Sequence, residues 1–521
     1  MNFLKKCLLA LIILSILVGL TIWMLTKNFT HTAIKDLINK ELSSITSQQG
    51  RIDGKVTWKL FPLPGVKITQ IHISDGENKT KNLLSIDNLL FNLQLSPLLR
   101  GRLVFKEIEI DGLTAAIKNP DTPNSIFRKL SNMAAAQNNN SAIQFAIDRF
   151  LLTRAQIVIT QAKQTITFSD LEFEAEEMNL KKAFFPLQFK TSIAASSAQN
   201  KIQANLTYDG KIRFAPTILT QPLTAWQSTG IKGQLLAQNI RFNQFKISKL
   251  RANTSTKKGV LTLNPLHMSL YSGQSNGSLS YQFSTKKLTI NQIATKINAS
   301  PFFKTIFGKA LVKGSVDITT QGSVNLQDEI WHKNVTGNGN LTIKNGVLNF
   351  INLQELADNA SRKIHSIPTQ DQNDVNTALE QPILSPKAPP DGTTAFQLLN
   401  LQYQFLPGRF IADSLLLQTS NIHLNGDGQI NLNNNALAGN LHATLKTADG
   451  MILKIQRLLG GSFPLKLAGT VMQPEILPNE REISPIVTRY MLTNVLVYPV
   501  KQIKNQLQNV ILTPATILLS N

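Results

Sequence analysis

Residues 103–110 read LVFKEIEI, so apolar and polar side chains alternate with a period of two. Successive side chains of a β-strand point to opposite faces, and this alternation therefore predicts a strand with one apolar and one polar face. The same pattern recurs along most of the chain after residue 50, for example in TITFSDLEF (165–173) and IHLNGDGQINL (422–432). The sequence therefore predicts a mainly β protein.

Short polar segments rich in Gly, Asn and Asp separate the alternating runs, as in YDGK (208–211), KNG (344–346) and LNNNALAG (432–439). These residues tolerate the backbone angles of tight turns, so the strands are expected to pair with their sequence neighbours in antiparallel fashion. Helical patterns are few; residues 353–364 carry one of them. With so few helices to cover its apolar face, we expect an elongated, curled antiparallel sheet that forms a groove.

Near the amino terminus, residues 8–25 form an unbroken apolar run, preceded by Lys5 and Lys6. A helix of that length spans about 27 Å, close to the thickness of the hydrocarbon core of a bilayer. Adjacent lysines before the run favour a cytoplasmic amino terminus and an exported remainder. We expect an uncleaved signal anchor; a cleaved signal peptide is the alternative, although no small-residue cleavage site follows the run.

Composition excludes several classes of site. The net charge is +21, yet the basic residues are spread thinly and accompany no aromatic RNA-binding motif, so we expect no nucleic acid as partner. Cys7 is the single cysteine and lies at the edge of the apolar run, which rules out disulfides and thiolate metal sites in the exported part. The histidines occur singly; His423 and His442, in neighbouring predicted strands, are the one pair considered for a metal. No metal and no cofactor is expected.

Residues 273–277 read GQSNG and match the G-x-S-x-G pattern of a hydrolase nucleophile. That motif needs a strand-to-helix turn, whereas SLSYQF follows here as a predicted strand, so we interpret the glycines as a hairpin turn. The acidic residues between Glu172 and Glu177 alternate with apolar residues and are interpreted as a solvated strand face. The chain is not expected to be an enzyme; an exported esterase that uses Ser275 is the least favoured alternative.

Several segments in fixed order resemble the AsmA family. The first two contain a W-x-L-F-P-x-P-G-like turn and a P-L-L-x-G-x-L segment, and the later ones contain spaced glycines followed by strands. Each segment alone is short, but their common order behind an amino-terminal anchor makes the resemblance specific. The segments are 54–75, 96–113, 270–281, 335–360, 393–445 and 463–479. The insertion at 366–391 and the residues after Asn479 depart from the family pattern.

The resemblance implies a protein anchored in the inner membrane of a Gram-negative envelope, with most of the chain in the periplasm. It implies a curled sheet whose apolar groove holds the acyl chains of phospholipid and carries the lipid between inner and outer membrane. Outer-membrane assembly and lipid homeostasis would depend on that transport. The alternative is a membrane-anchored scaffold that recruits envelope proteins through residues 483–521.

We accordingly divide the chain into a cytoplasmic stub and anchor (1–27), an amino-terminal β region (28–330), a carboxy-terminal β region (331–482) with a flexible insertion (366–391), and an amphipathic helical tail (483–521). Trp58 and Phe61 flank a stiff proline-containing turn and are predicted to lie at the membrane interface. Apolar residues of the predicted strands are candidates for the lipid groove, or alternatively fill a closed β core. They are Phe91, Leu93, Leu95, Phe105, Ile108, Ile110, Leu341, Ile343, Ile422, Leu424, Ile430 and Leu432.

Overall fold

A computed structural model of the chain describes residues 50–59, 64–75, 78–94, 103–118, 143–178, 183–198, 200–214, 225–327, 334–366 and 392–491. The predicted anchor at 8–25, the tail after residue 491 and most of the insertion at 366–391 lie outside these ranges. Within them, every helix is too short or too polar to cross a membrane.

The chain divides into two compact units. Unit 1 comprises Met1–Ser269 and Ser278–Thr285, and unit 2 comprises Leu270–Gly277 and Lys286–Asn521. The dividing line passes through strand β13 (Gly273–Gln282).

Unit 1 consists of β-strands, with a 3₁₀ turn at Ala225–Gln227 as its only helical segment among the described residues. The strands are β1 (Gly50–Ile52), β2 (Val56–Lys59), β3 (Gly65–Asp75), β4 (Asn78–Leu93), β5 (Leu103–Lys118), β6 (Ile143–Gln161), β7 (Gln164–Met178), β8 (Phe185–Ser196), β9 (Lys201–Arg213), β10 (Gly230–Phe242), β11 (Phe245–Lys257) and β12 (Val260–Leu270).

The described part of unit 2 combines strands with four short helices. Its strands are β14 (Lys287–Asn298), β15 (Val312–Asn325), β16 (Thr336–Leu348), β17 (Thr394–Leu406), β18 (Arg409–Gln418), β19 (Ile422–Asn431), β20 (Ala436–Leu445), β21 (Phe463–Thr470) and β22 (Gln473–Pro478). Its helices are α1 (Ala299–Phe307), α2 (Leu353–His365), α3 (Gly450–Leu458) and α4, described over 480–491. The prediction of a mainly β protein with few short helices is confirmed.

Where the structure describes both strands of a pair, sequence neighbours in each unit pair in antiparallel fashion, with one exception. Strands β5 and β6 pair in parallel, with Ile108 opposite Phe150 and Ala115 opposite Ile157. The prediction of antiparallel pairing is confirmed for the other described strand pairs, and β5 with β6 departs from it. A parallel pair needs a long crossover connection, and residues 119–142 separate the two strands in the chain.

Three predicted turns lie inside strands instead. Gly210 of YDGK is part of β9, where an added Cβ would lie 2.5 Å from the Cα of Gly233 in β10. Gly346 of KNG is part of β16, where a Cβ would lie 2.3 Å from the ring of Phe396. These glycines allow close approach of a neighbouring strand or aromatic ring, which is the second common role of glycine in sheets.

The third of these is the GQSNG segment, which belongs to β13 rather than to a hairpin turn. The turn before β13 is made by Tyr271 and Ser272, both with positive φ angles of 45° and 65°. Ser275 is buried, and its hydroxyl donates to the Oε1 atom of Gln292 at 2.6 Å. The strand-to-helix turn of a hydrolase nucleophile is absent from this segment.

β-Bulges bend the strands of both units. Arg154 of β6 and Asp170 of β7 have φ angles near 50°, and the pairing register shifts beside each of them. Bulges increase the right-handed twist and bend of a sheet, so repeated bulges curl it. In unit 2 the curl brings the turn between β21 and β22 onto the segment after α1, where the Nζ atom of Lys309 donates to the carbonyl oxygen of Met472 at 3.4 Å.

Side-chain caps begin the helices of unit 2. Asn298, Asn352 and Asp449 accept hydrogen bonds from the first backbone N–H groups of α1, α2 and α3. The predicted helix at 353–364 is confirmed as α2. A cluster of Ile364, Ile452, Ile455, Ile483, Val487 and Met491 joins α2, α3 and α4 into one small core.

The apolar side of the sheet forms the core of unit 2. Substitution of one buried and one exposed isoleucine tests this assignment. Ile343 of β16 is fully buried, whereas Ile293 of β14 is 55% exposed. We expect Ile343→Ala to lower the free energy of unfolding by about 2–5 kcal/mol because it leaves a cavity. Ile293→Ala is expected to change it by less than about 0.5 kcal/mol.

Denaturant unfolding of the full chain measures both values. Equal effects of the two substitutions would contradict the assignment of one buried and one exposed face.

Candidate functional site

Apolar side chains form continuous rows across the strands of unit 1. Ile68 of β3 lies opposite Leu89 of β4, and each next strand continues the row with a residue of the same face. The row runs Ile68, Leu89, Ile110, Leu152, Phe173, Phe189, Tyr208, Leu235, Ala252 and Leu266. Because side chains alternate along a strand, such a register makes one whole face of the sheet apolar.

The apolar face of unit 1 is only partly covered. Phe150, Phe173, Phe189 and Leu235 remain half-buried although they lie in the middle of the sheet. Among the described residues of this unit no α-helix packs over the face, and aromatic rings of the face pack on one another, such as Phe173 against Phe150 at 5.8 Å between ring centroids. The arrangement leaves apolar surface that a ligand can contact.

Unit 2 has an equivalent face. One of its rows runs Ile297, Val316, Ile343, Leu399, Leu417, Leu424, Ala443 and Phe463. A parallel row contains Leu341, Leu401 and Leu415, which are half-buried. In this unit the helices α2, α3 and α4 cover the part of the face formed by β19–β22.

The opposite face of unit 1 carries ion pairs. Arg149 of β6 donates to Glu107 of β5 at 2.9 Å and forms an ion pair with Glu174 of β7 at 2.7 Å. Burial raises the pKa of Glu107, but hydrogen bonds from Asn92 and Arg149 outweigh that effect and leave the pKa below its ordinary value. Glu172 of β7 pairs with Lys190 of β8 at 4.0 Å, so Glu172 and Glu174 lie on a charge-paired strand face.

A second ion pair on this unit involves the bulge residue Arg154. Its guanidinium donates two hydrogen bonds to the carboxylate of Asp111, at 2.7 and 2.6 Å. These bonds are the main cause that lowers the pKa of Asp111 to about 2; partial burial opposes them, and hydrogen bonds from Thr153 and Asn88 add to them. Charges of this kind keep one face of the sheet in water while the other face stays apolar.

The structure brings most of the predicted groove residues onto the apolar faces. Phe91, Ile108 and Ile110 lie on the face of unit 1, and Leu93 is buried at the end of β4. Leu341, Ile343, Ile422, Leu424 and Ile430 lie on the face of unit 2, and Leu432 follows β19 directly. Phe105 is placed by its backbone in β5, opposite Leu93. Leu95 lies outside the described residues.

The structure describes one of the two residues that were predicted to lie at the membrane interface. Trp58 of β2 is half-buried and packs against the cluster of Ile52, Val56, Val66, Ile68 and Ile71. Phe61 lies outside the described residues. Contact of either residue with a membrane stays a prediction.

The pairing register of β19 and β20 prevents His423 and His442 from lying directly opposite each other. His423 of β19 lies opposite Thr444, and His442 of β20 lies opposite Asn425, so the two are diagonal neighbours. In the described part of the chain no three acidic, histidine or cysteine side chains come together as a metal site.

An apolar chamber in unit 2 was missed by the sequence-based reasoning. Its walls include side chains of α2, such as Leu356 and Ala360, together with Ile422 and Leu424, which were predicted for the groove. The sequence of α2 carries apolar or small residues at 353, 356, 357, 360 and 364, which predicts an amphipathic helix that packs on the sheet but gives no signal of a space beneath it.

Comparisons with known proteins support one family. The model of the AsmA family matches residues 1–235 and 219–381 of the chain. No curated protein matches the chain significantly. No solved structure does so either.

The Asp111–Arg154 pair makes a prediction about pH. Asp111 has a lower pKa in the folded chain than its ordinary value of 3.8, so its ionised form stabilises the fold above about pH 4, and this contribution is lost as the pH falls toward about 2. We expect Asp111→Asn to destabilise the chain near neutral pH. The difference from the wild type should shrink as the pH is lowered through that window.

Denaturant unfolding of both proteins at a series of pH values gives this difference directly, since the other carboxyl groups are common to both. A difference that stays constant down to about pH 2 would refute the pairing.

Proposed function

We propose that this chain, which belongs to the AsmA family, holds phospholipid with its acyl chains against the apolar faces of its sheet and carries it between the inner and outer membrane. The half-buried apolar rows carry the proposal. A protein that stores no ligand would normally close such a face with a second layer, and the described part of unit 1 has none.

The physical basis is transfer of hydrocarbon from water. Each methylene of an acyl chain that leaves water contributes about 0.8 kcal/mol, so a chain that lies along several strands is held without any specific polar contact. The rows contain aliphatic and aromatic side chains and no charged ones, as shown by Phe173, Phe189 and Leu235 in unit 1. Binding of this kind discriminates little between headgroups, which remain in water.

The place of action follows from the same proposal. Residues 8–25 would anchor the chain in the inner membrane, with the β-sheet units in the periplasm, where lipid can pass from the membrane onto the sheet. Outer-membrane assembly and lipid homeostasis would then depend on the protein. Recruitment of envelope proteins through 483–521 is the alternative; the first part of that segment, in α4, packs Ile483, Val487 and Met491 against its own unit.

The direct test is whether the full chain carries lipid. The protein is extracted from membranes with an amphipathic polymer, washed to remove the lipid of the surrounding bilayer, and purified. Mass spectrometry then identifies the lipid that remains bound. We expect phospholipid of several headgroup classes. Protein that retains no phospholipid above the level of an unrelated single-span membrane protein would contradict the proposal.

A substitution on one face makes the test specific. Leu401 is half-buried on the apolar face of β17, and its neighbour Gln402 is exposed on the opposite face. We expect Leu401→Glu to reduce retained phospholipid at least about threefold, because a carboxylate placed against acyl chains loses its hydration. Gln402→Glu, the matched control, should retain the wild-type amount.

The same mass-spectrometric measurement reads out both variants, with circular dichroism to confirm that each is folded. Equal loss in both variants, or no loss in either, would argue against the apolar face as the lipid site.

A further inference from the structure

The polar face of unit 1 changes its charge along the sheet. Between Asp209 and Asp317 the chain has no acidic residue, yet this stretch contains fifteen lysines and arginines. In strands β9–β12, which belong to unit 1, Asp209 is the single acidic residue. This part of the chain therefore holds much of the net charge of +21.

The pairing register places several of these cations on one face. Arg251 of β11 lies opposite Leu236 of β10, which is next in the chain to Leu235 of the apolar row. Because side chains alternate along a strand, Arg251 lies on the opposite, polar face. Lys232 lies four residues before Leu236, and Lys249 lies two residues before Arg251, so both lysines share this polar face.

Two further cations complete this surface. Lys211 of β9 lies directly opposite Lys232, and like charges in such positions destabilise a sheet. Arg241 lies opposite Gln203 of β9, which shares the face of Lys211, and it is nine residues from Lys232, or about 30 Å along an extended strand. We call this surface the cationic face; its members, all exposed, are Lys211, Lys232, Arg241, Lys249 and Arg251. An anionic partner that covered the cationic face would remove the repulsion between its members.

Earlier strands of the same polar face carry balanced charges. Arg149 of β6 contacts the carboxylates of Glu107 and Glu174 at 2.9 and 2.7 Å. Within β9–β12 the one carboxylate is that of Asp209, which lies opposite Gln234 at the margin of the cationic face. The positive potential of β9–β11 therefore extends into solvent, where it attracts anions.

We propose that the cationic face docks on the surface of a bilayer that contains anionic phospholipid. Its charge selects an anionic partner, and the spread of its cations over about 30 Å favours an extended anionic surface over a small anion. A protein partner would normally bury aromatic or other apolar side chains at the centre of the interface. Among the residues that share this face between Lys232 and Gln238 of β10 and between Lys249 and Ser255 of β11, Leu236 alone is apolar.

This contact goes beyond the proposed function, because it uses the polar face of the sheet and needs no lipid on the apolar face. The cations contact headgroup phosphates, and no side chain of the face enters the hydrocarbon. Because the attraction acts between solvent-exposed charges, added salt screens it.

The experiment uses the full chain in nanodiscs of phosphatidylcholine, which occupy the proposed anchor. Surface plasmon resonance measures binding of three probes: vesicles of phosphatidylcholine, vesicles of equal parts phosphatidylcholine and phosphatidylglycerol, and polyglutamate as a substitute for an acidic protein. The test variant is Lys232→Glu/Arg251→Glu. The matched control is Lys67→Glu/Lys163→Glu, which changes the net charge equally at exposed lysines of β3 and of the turn after β6. Circular dichroism and the retained phospholipid report on folding and on the apolar face.

We expect the wild type to bind the mixed vesicles at least about tenfold more tightly than the neutral ones, and the test variant to lose that difference. The control should bind within about twofold of the wild type, and added salt should weaken binding of the mixed vesicles to the wild type. Equal binding of neutral and mixed vesicles, or equal loss in both variants, would overturn the inference. Binding of polyglutamate without binding of the mixed vesicles would overturn it in favour of an acidic protein.

The outcomes also separate this inference from the proposed function. A wild type that retains phospholipid but does not bind the mixed vesicles overturns the docking surface alone. A wild type that binds these vesicles through Lys232 and Arg251 but carries no phospholipid supports the docking surface and contradicts the transport proposal.

Discussion

The alternation of side chains along each β-strand is the constraint on which the rest of the structure depends. In each unit the paired strands offer one apolar face, and the pairing register places these faces side by side, as in the run from Phe173 through Phe189 to Tyr208. A sheet of this kind must cover its apolar face with a second layer, by curling, or with a ligand. In the described part of unit 1, aromatic side chains of this face such as Phe173 and Phe189 remain half-buried. The lipid function proposed for the chain follows from this incomplete cover.

Local backbone features bend the sheet and allow its strands to pack closely. Bulges at residues such as Arg154 and Asp170 bend the strands, and the ion pair between Arg154 and Asp111 binds one bulge to the neighbouring strand on the polar side. Glycines within the strands have a different role, because they allow close packing. Gly339 leaves space for the ring of Tyr403, whose hydroxyl would lie 2.5 Å from an added Cβ. In unit 2 the short helices close part of the face, and the cover is incomplete at the chamber, where α2 presents Ala357 and Ala360.

The period-two pattern was sufficient to predict the mainly β fold, and candidates such as Ile108 and Ile343 lie on the apolar faces because facing depends only on alternation. Features that depend on partners distant in the chain were not predictable in this way. Glycines in YDGK and KNG have the same composition as turns, and only the register with Gly233 and Phe396 shows that they lie in strands. The parallel pairing of β5 with β6 has no local signal at all. Helices α1 and α3 are nine residues long, which is too short for a helical period to stand out from an apolar run.

In the proposed function, acyl chains contact the apolar faces of the sheet and headgroups remain in water. Photo-crosslinking tests it most directly, with two phospholipids that carry a diazirine either in the acyl chain or in the headgroup, followed by mass-spectrometric mapping of the labelled peptides. We expect the acyl-chain probe to label apolar-face residues such as Phe189 and Leu401, and the headgroup probe to leave them unlabelled. Equal labelling of both faces by the acyl-chain probe, or labelling of the apolar rows by the headgroup probe, would contradict it.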